Sequence, residues 1–313
     1  MNLGRRPLAR VGLASLLSAI APWKGDVTER REPGTLFVVS TPIGNMGDFS
    51  FRAVEILKSV NAVLAEDTRH TRHLLHRYEI ETPSLAYHEH NEAKSTPKLI
   101  ARLADGESFA LVSDAGTPLV SDPGSRLVAA AARAGIPIVP VPGPSALLAA
   151  LVASGLDTRR FTFFGFLTRS GPERRKAFDE IEVLAHTAVV YESPTRLVGT
   201  LSEIEARGGG GRDAVVAREM TKQFEEVRRG TVAELRAYYE QVEPRGELVL
   251  VVGGATPPEP AEDLVRERVR SLREAGMTSR DIAAMVSREL GVSKRVAYRL
   301  SQEADVKPGA GDE

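Results

Sequence analysis

Hydrophobic positions along the chain fall into two alternating patterns. Short blocks of aliphatic and β-branched residues occupy 35–40 (TLFVVS), 61–65 (NAVLA), 85–88, 108–112 (SFALV) and 136–139. Blocks of this length, without polar alternation, predict strands covered on both faces. Between them, 51–59, 94–103 and 127–134 carry apolar residues at helical spacing. Asp122-Pro123 has the signature of a helix start, with Asp as N-cap and Pro in the first turn. This order predicts a mostly parallel sheet with helices on both faces.

The pattern breaks at Pro140, Pro142, Gly143 and Pro144, and a helix of small residues then runs to Ser154. A second α/β unit begins at Phe161, with strands predicted at 188–191, 214–217 and 247–252 and a helix start at Ser193-Pro194. The Gly run at 208–211 reads as a loop, and 256–260 (TPPEP) as a stiff linker. Helical periodicity spans 264–304, where nine basic residues face five acidic ones. The expected fold class is α/β: two α/β/α domains, 34–148 and 149–254, with a ligand cleft between them and a helical tail domain at 261–306.

Composition narrows the function. A length of 313 residues suits two medium domains plus an appendage. Cysteine is absent, which excludes disulfide scaffolds, cysteine nucleophiles, zinc fingers and iron–sulfur clusters. The net charge is −1, so any nucleic-acid role rests on local basic patches. No apolar run is long enough to cross a membrane. Residues 1–33 stand apart: Arg5, Arg6 and Arg10 precede an apolar stretch at 11–21, as in a weak signal peptide, but no A-x-A-like cleavage site follows. The segment is read as a disordered extension and the protein as cytoplasmic.

The candidate chemistry lies at strand ends. Three loops there, 40–45 (STPIGN), 113–124 (SDAGTPLVSDPG) and 140–146 (PVPGPSA), are rich in Gly, Pro and small polar residues. Glycine lets main-chain groups approach a ligand closely, and proline stiffens the loop. One such loop is ordinary turn chemistry; three at the carboxyl ends of one sheet predict a ligand cleft suited to a nucleoside-like molecule held by backbone contacts. Neither GxGxxG after the first strand nor GxxxxGK[ST] occurs, which disfavours dinucleotides and P-loop nucleotides.

In order, the chain carries STPIGNMGD, AEDTRHTRHLL, YHEHNE, ALVSDAGTPLVSDPG, PVPGPSALLAALVASGL, FFGFLTR, YESPTRL, AREMTK and GELVLVV. Together these motifs, across 34–253, resemble the tetrapyrrole-methylase fold class of S-adenosylmethionine-dependent methyltransferases. Within that class they are similar to the bacterial enzymes that methylate the ribose 2′-hydroxyl of a cytidine in 16S ribosomal RNA. The N-terminal extension and the Gly run depart from the family pattern. The resemblance implies S-adenosyl-L-methionine bound between the two domains. It assigns cofactor contacts to Asp114, Ala115, Gly116, Thr117, Pro118 and Val120, and to Ser145 and Ala146. It has Tyr191 and Glu192 close over the cofactor from the second domain, and Pro42, Ile43 and Gly44 floor the cleft. It also implies a homodimer acting on 16S rRNA in the small (30S) ribosomal subunit.

A ribose hydroxyl is a weak acid, so a general base within hydrogen-bond reach would assist transfer. Candidates are Glu66 and Asp67, ending the second predicted strand beside Arg69 and Arg72; a structural ion-pair network is the competing reading. His70, His88 and His90 are further candidates. His70, His73 and His76 lie three apart, a spacing that drifts round a helix, so no metal site is expected. Arg69, His70 and Arg72, with Arg169, Arg174, Arg175 and Lys176, are candidate RNA contacts; a solvated helix face is the alternative. The tail has helix-turn-helix spacing around Gly291-Val292-Ser293, which suits RNA contact or packing on the body or a second subunit. A methyltransferase for a small tetrapyrrole and a non-catalytic RNA-binding protein remain the competing functions.

Overall fold

The computed structural model describes residues 32–255 and 260–303. The N-terminal extension and the 256–260 linker expected from the sequence fall almost wholly outside the described residues.

The first half folds around five parallel strands: β1 (Leu36–Val39), β2 (Ala62–Ala65), β3 (Ser84–Ala86), β4 (Phe109–Val112) and β5 (Ile138–Val141), in the order β3-β2-β4-β1-β5. Every residue of β2 and β4 is buried, as their unbroken apolar runs demand. Helices α1 (Phe51–Ser59) and α2 (Thr68–Arg77) cover one face through Leu57, Leu74 and Leu75. Helices α3 (Glu92–Ala104) and α4 (Ser125–Arg133) cover the other through Leu99, Leu103 and Leu127. The strand order groups the candidate loops. With β4, β1 and β5 adjacent and Val39 level with both Val112 and Val141, the three loops leave the sheet side by side. The end of β2 lies next to them.

One expected boundary is corrected. Helix α4 begins at Ser125, not at Asp122-Pro123. Its N-cap is Gly124, whose φ is +126°, and a Cβ there would lie 2.6 Å from Leu111 Cδ2. The chain therefore uses glycine to pass close over β4 before it turns into the helix, and Asp122 stays in the loop.

The second half starts with α5 (Ala146–Ser154), then β6 (Phe161–Phe166), β7 (Thr187–Glu192), β8 (Asp213–Arg218), β9 (Glu226–Thr231) and β10 (Leu248–Val252), in the order β6-β7-β10-β8-β9. Only β6 and β7 are parallel; the other pairs are antiparallel. Helices α6 (Pro172–Val183), α7 (Pro194–Ala206) and α8 (Val232–Gln241) pack on one face through Phe178, Leu197 and Leu235. Helix α5 packs on the other through Ala150 and Leu151. The strand β9 has no apolar run to announce it: three of its six residues are charged. They are accommodated at a sheet edge, where Glu226 bridges Arg218 (3.1 Å) and Arg228 (2.9 Å).

The tail forms α9 (Glu262–Glu274), α10 (Ser279–Leu290) and α11 (Lys294–Glu303) around its own core of Val265, Val269, Ile282, Val286 and Leu300. The turn between α10 and α11 is the predicted 291–293, with Gly291 in the left-handed region at φ +73°.

Candidate active site

Side-chain and main-chain hydrogen bonds join the three loops into one surface. Thr41 and Gly116 exchange backbone hydrogen bonds (2.8 and 3.1 Å), and the Thr41 hydroxyl donates to Ser113 O (3.1 Å). Ser40 Oγ donates to Thr117 Oγ1 (3.2 Å), which donates in turn to Pro144 O (3.2 Å). Gly143 is pressed so closely on the first loop that a Cβ would sit 2.9 Å from Ser40 Cβ. Leu119 and Ser121 hold φ of +72° and +67°, a conformation costly for non-glycine residues and typical of functional loops.

This surface is one wall of a cavity of about 450 Å³. Ile43, Glu66, Asp114, Ala115, Gly116, Thr117, Val120, Ser121, Asp122, Ser145 and Ala146 line it from the first half and α5. Phe166, Tyr191, Glu192, Ser193, Pro194, Ala217, Met220, Gly246, Glu247, Leu248 and Val249 line it from the second sheet. Most residues expected at a cofactor site thus meet in one place. Pro42 and Pro118 do not line the cavity; both are buried in their loops. Gly44 does not line the cavity either; it lies beneath Lys222, whose Cγ would be 2.3 Å from a Cβ there. Next to it, the Asn45 amide donates to Thr221 Oγ1 (3.1 Å), so the turn after β8 touches the loop after β1.

Tyr191 ties β7 to the helix that follows the third loop. Its hydroxyl accepts from the Leu147 amide at the start of α5 (3.1 Å), and its ring packs edge-on to Phe163 (4.8 Å) and tilted against Phe166 (5.4 Å). Burial raises the phenol pKa. Glu192 lines the cavity but turns its carboxylate into the protein, accepting from Thr200 Oγ1 (2.6 Å), Arg196 Nε (2.7 Å) and the Ser193 amide (2.8 Å). In this geometry it fixes the β7–α7 turn.

Charge on the first-half wall is acidic. Glu66, Asp114 and Asp122 all line the cavity. Burial, then the neighbouring Asp114 and Glu89 carboxylates, raise Glu66; His88 opposes them. Burial, then Glu66, push Asp122 up to about 6, against a hydrogen bond from the Ser113 side chain. The expected Glu66–Asp67 pair is split. Helix α2 begins at Thr68, so Asp67 is its N-cap, accepting from the Arg69 amide (2.8 Å) and guanidinium (3.0 Å); those bonds lower it to about 2. Asp67 does not line the cavity, and its partner Arg69 is exposed rather than buried.

Sequence reasoning misses several cavity residues. Asp122 is hidden because Asp-Pro at the head of an apolar run reads as a helix cap. The second-half wall, with Phe166, Met220 and Gly246 to Val249, is signalled only by the motifs FFGFLTR, AREMTK and GELVLVV. Of the basic residues, Arg69, His70, Arg72, Arg169, Arg175 and Lys176 are exposed. Arg174 is turned inward, onto Glu203 (3.1 Å), Thr168 O (3.2 Å) and the Phe178 ring. His88 and His90 lie outside the cavity, their rings 6.0 Å apart, and His88 Nδ1 is buried without a hydrogen-bond partner among the described residues.

A parallel sheet whose strand-end loops face a second, mixed sheet across a deep cleft defines a two-part α/β ligand-binding enzyme fold. The chain belongs to the tetrapyrrole (corrin/porphyrin) methylases, whose family model matches residues 35–236. It is 44% identical over 275 residues to the ribosomal RNA small subunit methyltransferase I of Synechocystis, covering 87% of this chain and 99% of that one. It is 42% identical to the protein of the same name from Bacillus subtilis, covering 86% and 94%. Among solved structures, uroporphyrin-III C-methyl transferase of Thermus thermophilus, complexed with S-adenyl homocysteine, aligns with a TM-score of 0.51 at 20% identity, covering 70% of this chain and 97% of that one. Diphthine synthase aligns at 0.56 and 16% identity, covering 71% and 91%. At these identities the solved structures establish the fold.

Proposed function

We propose that this chain is an S-adenosylmethionine-dependent methyltransferase acting on 16S rRNA of the small ribosomal subunit, at the ribose 2′-hydroxyl of a cytidine. The observation that carries the reading is the cleft built from Asp114 to Thr117, Ser145 and Ala146, in a chain whose relatives are small-subunit rRNA methyltransferases. Those names favour RNA over a small tetrapyrrole. The residues present fit the cofactor. The cavity volume is that of a small-molecule site, its wall offers backbone groups freed by Gly116, and three carboxylates suit a cationic ligand. When bound, the cofactor supplies an activated methyl group, so the protein's tasks are positioning and proton handling.

In this reading 34–148 and 149–254 act as two domains closing on the cofactor. Gly116, Thr117, Ser145 and Ala146 hold it by close approach, and Tyr191 closes the far side. RNA phosphates meet Arg69, His70 and Arg72 at one edge and Arg169, Arg175 and Lys176 at the other. Arg69 and Arg169 each follow a cavity-lining residue, Glu66 and Phe166, by three positions, which supports this placement. The protein works in the cytoplasm as a homodimer; among the described residues no helix is long and apolar enough to cross a membrane.

The test is tritiated-methyl transfer to purified 30S subunits, naked 16S RNA and uroporphyrinogen in parallel. Transfer is expected to an RNA substrate and absent from the tetrapyrrole. Gly116 has φ +85°, and an added Cβ would stand 3.4 Å from Ile43 Cγ2. Gly116→Leu should therefore abolish cofactor binding by calorimetry while the far-ultraviolet circular dichroism stays native. Wild-type affinity in that variant would remove the cofactor from this loop.

A further inference from the structure

We propose that Asp122 is the group that takes the hydroxyl proton, and that the charge of the bound cofactor sets its protonation state. This rests on the methyltransferase reading.

Asp122 stands half-buried in the cavity wall, between Ser121 and Pro123 in the loop that also supplies Asp114, Gly116 and Thr117. The backbone around it is fixed by positive φ at Leu119, Ser121 and Gly124. The ionisable groups facing it come from separate elements: Glu66 at the end of β2, Asp114 after β4, and Tyr191 at the end of β7, with Glu247 beside β10 across the cavity. Lys222, over Gly44, is committed to Glu219 (2.9 Å) and Glu247 (3.0 Å). Among the described residues the charges acting on Asp122 are therefore anionic, and the Ser113 side-chain hydrogen bond stabilises the ionised form.

Burial first, and then the charges of Glu66 and Asp114, make Asp122 hold its proton to unusually high pH, about 6. A cation placed in the same cavity offsets the repulsion from Glu66 and Asp114, which draws Asp122 toward the ionised form that can act as an acceptor. Methyl transfer forms a carbon–oxygen bond and breaks a carbon–sulfur bond, and the bonding pair returns to sulfur. The positive charge at sulfur disappears, and the hydroxyl must release a proton. Asp122 then loses the cation that offset Glu66 and Asp114, so its basicity rises as the proton becomes available. The charge lost from the ligand is thus matched by a proton gained at Asp122.

Binding alone tests this, without turnover. Calorimetry at pH 6 in two buffers of different ionisation enthalpy counts protons exchanged. S-adenosylmethionine should release up to about half a proton per site, since a group titrating near 6 is about half protonated there and gives up that proton as the cation draws it toward the ionised form. S-adenosylhomocysteine, neutral at sulfur, should release almost none. Sinefungin, which carries an ammonium in place of the methylsulfonium, should behave like the methyl donor. Asp122→Asn should abolish the release with S-adenosylmethionine. Glu66→Gln keeps Asp122 but removes one repelling charge, and should move the release to lower pH. Equal release with the methyl donor and the homocysteine product, or unchanged release in Asp122→Asn, would overturn the proposal while leaving the enzyme class intact. Failure of all three ligands to bind would overturn both.

Discussion

A carboxylate can lower its energy in water, beside a cation, or by keeping its proton; half-buried, and with no cation acting on it among the described residues, Asp122 leans to the last. The consequence for stability has a definite sign. A folded-state value near 6, above the ordinary 3.8, means that the native protein binds a proton that the unfolded chain does not. That contribution is fully present below about pH 4 and is lost as pH rises through about 6. At pH 8 the ionised side chain therefore costs stability in the ligand-free protein. Asp122→Asn, which cannot ionise, should melt several degrees higher than wild type at pH 8, a gain of about 1–2 kcal/mol after discounting for solvent screening. At pH 4 the two should melt together. Thermal scans at the two pH values check this, and a penalty equal at both would mean that Asp122 holds the loop through its hydrogen bond instead. Asp67 has the opposite sign. Held near 2 by Arg69, it supports the fold above about pH 4 and withdraws that support as pH falls through about 2.

Among elements, α6 shows how a basic cluster divides its labour. Arg174 crosses to Glu203 on α7 and lies over Phe178, joining two helices with only 15% of its side chain exposed. Arg175 and Lys176 point to solvent and make no ion pair among the described residues. Arg174→Ala should destabilise the fold by about 1–2 kcal/mol, because it removes the cover over Phe178 and leaves Glu203 with only the longer contact to Arg207 (3.9 Å). Replacing Arg175 and Lys176 by Ala should leave the melting temperature unchanged and flatten the salt dependence of RNA binding by about two units of slope. Filter binding across a salt series, set beside thermal melts, separates these roles. The same division explains which features are visible in the sequence. Strands β1, β2 and β4 are legible because two-sided burial forces unbroken apolar runs, and the three loops because Gly and Pro mark close approach. Strand β9 is not, since an edge strand can carry charges: Glu226 pairs with Arg218 across the strands and with Arg228 along its own, and Arg229 donates to Ser154 O (3.1 Å). The inward turn of Arg174 depends on Glu203, 29 residues away, and no local pattern encodes it.

At the scale of the molecule, the second half leaves apolar surface that its own core does not use. Helix α5 reads ALLAALVAS, with no polar face until its last residue. Ala150 and Leu151 are buried against the second sheet, while Leu148 and Val152, one helical turn apart, are 51% and 73% exposed. Strand β6 (FTFFGF) is an edge strand without a charged residue, and Phe161 and Phe166 at its two ends are exposed. An uncharged, apolar edge is an aggregation hazard unless something covers it. A second copy is the occupant that a homodimer supplies, and a stable one buries about 1,200–2,000 Å² in total, far more than these four side chains. Leu148 and Val152, on the exposed face of α5, would lie at the centre of such an interface. Val152→Asp places a charge at that centre, on a face of α5 turned away from its own core. Sedimentation velocity at micromolar concentration should show a dimer for the wild type and a monomer for the variant, with cofactor binding retained because Ser145 and Ala146 lie two turns earlier on the helix. A wild-type protein that sediments as a monomer throughout would leave α5 without its proposed partner.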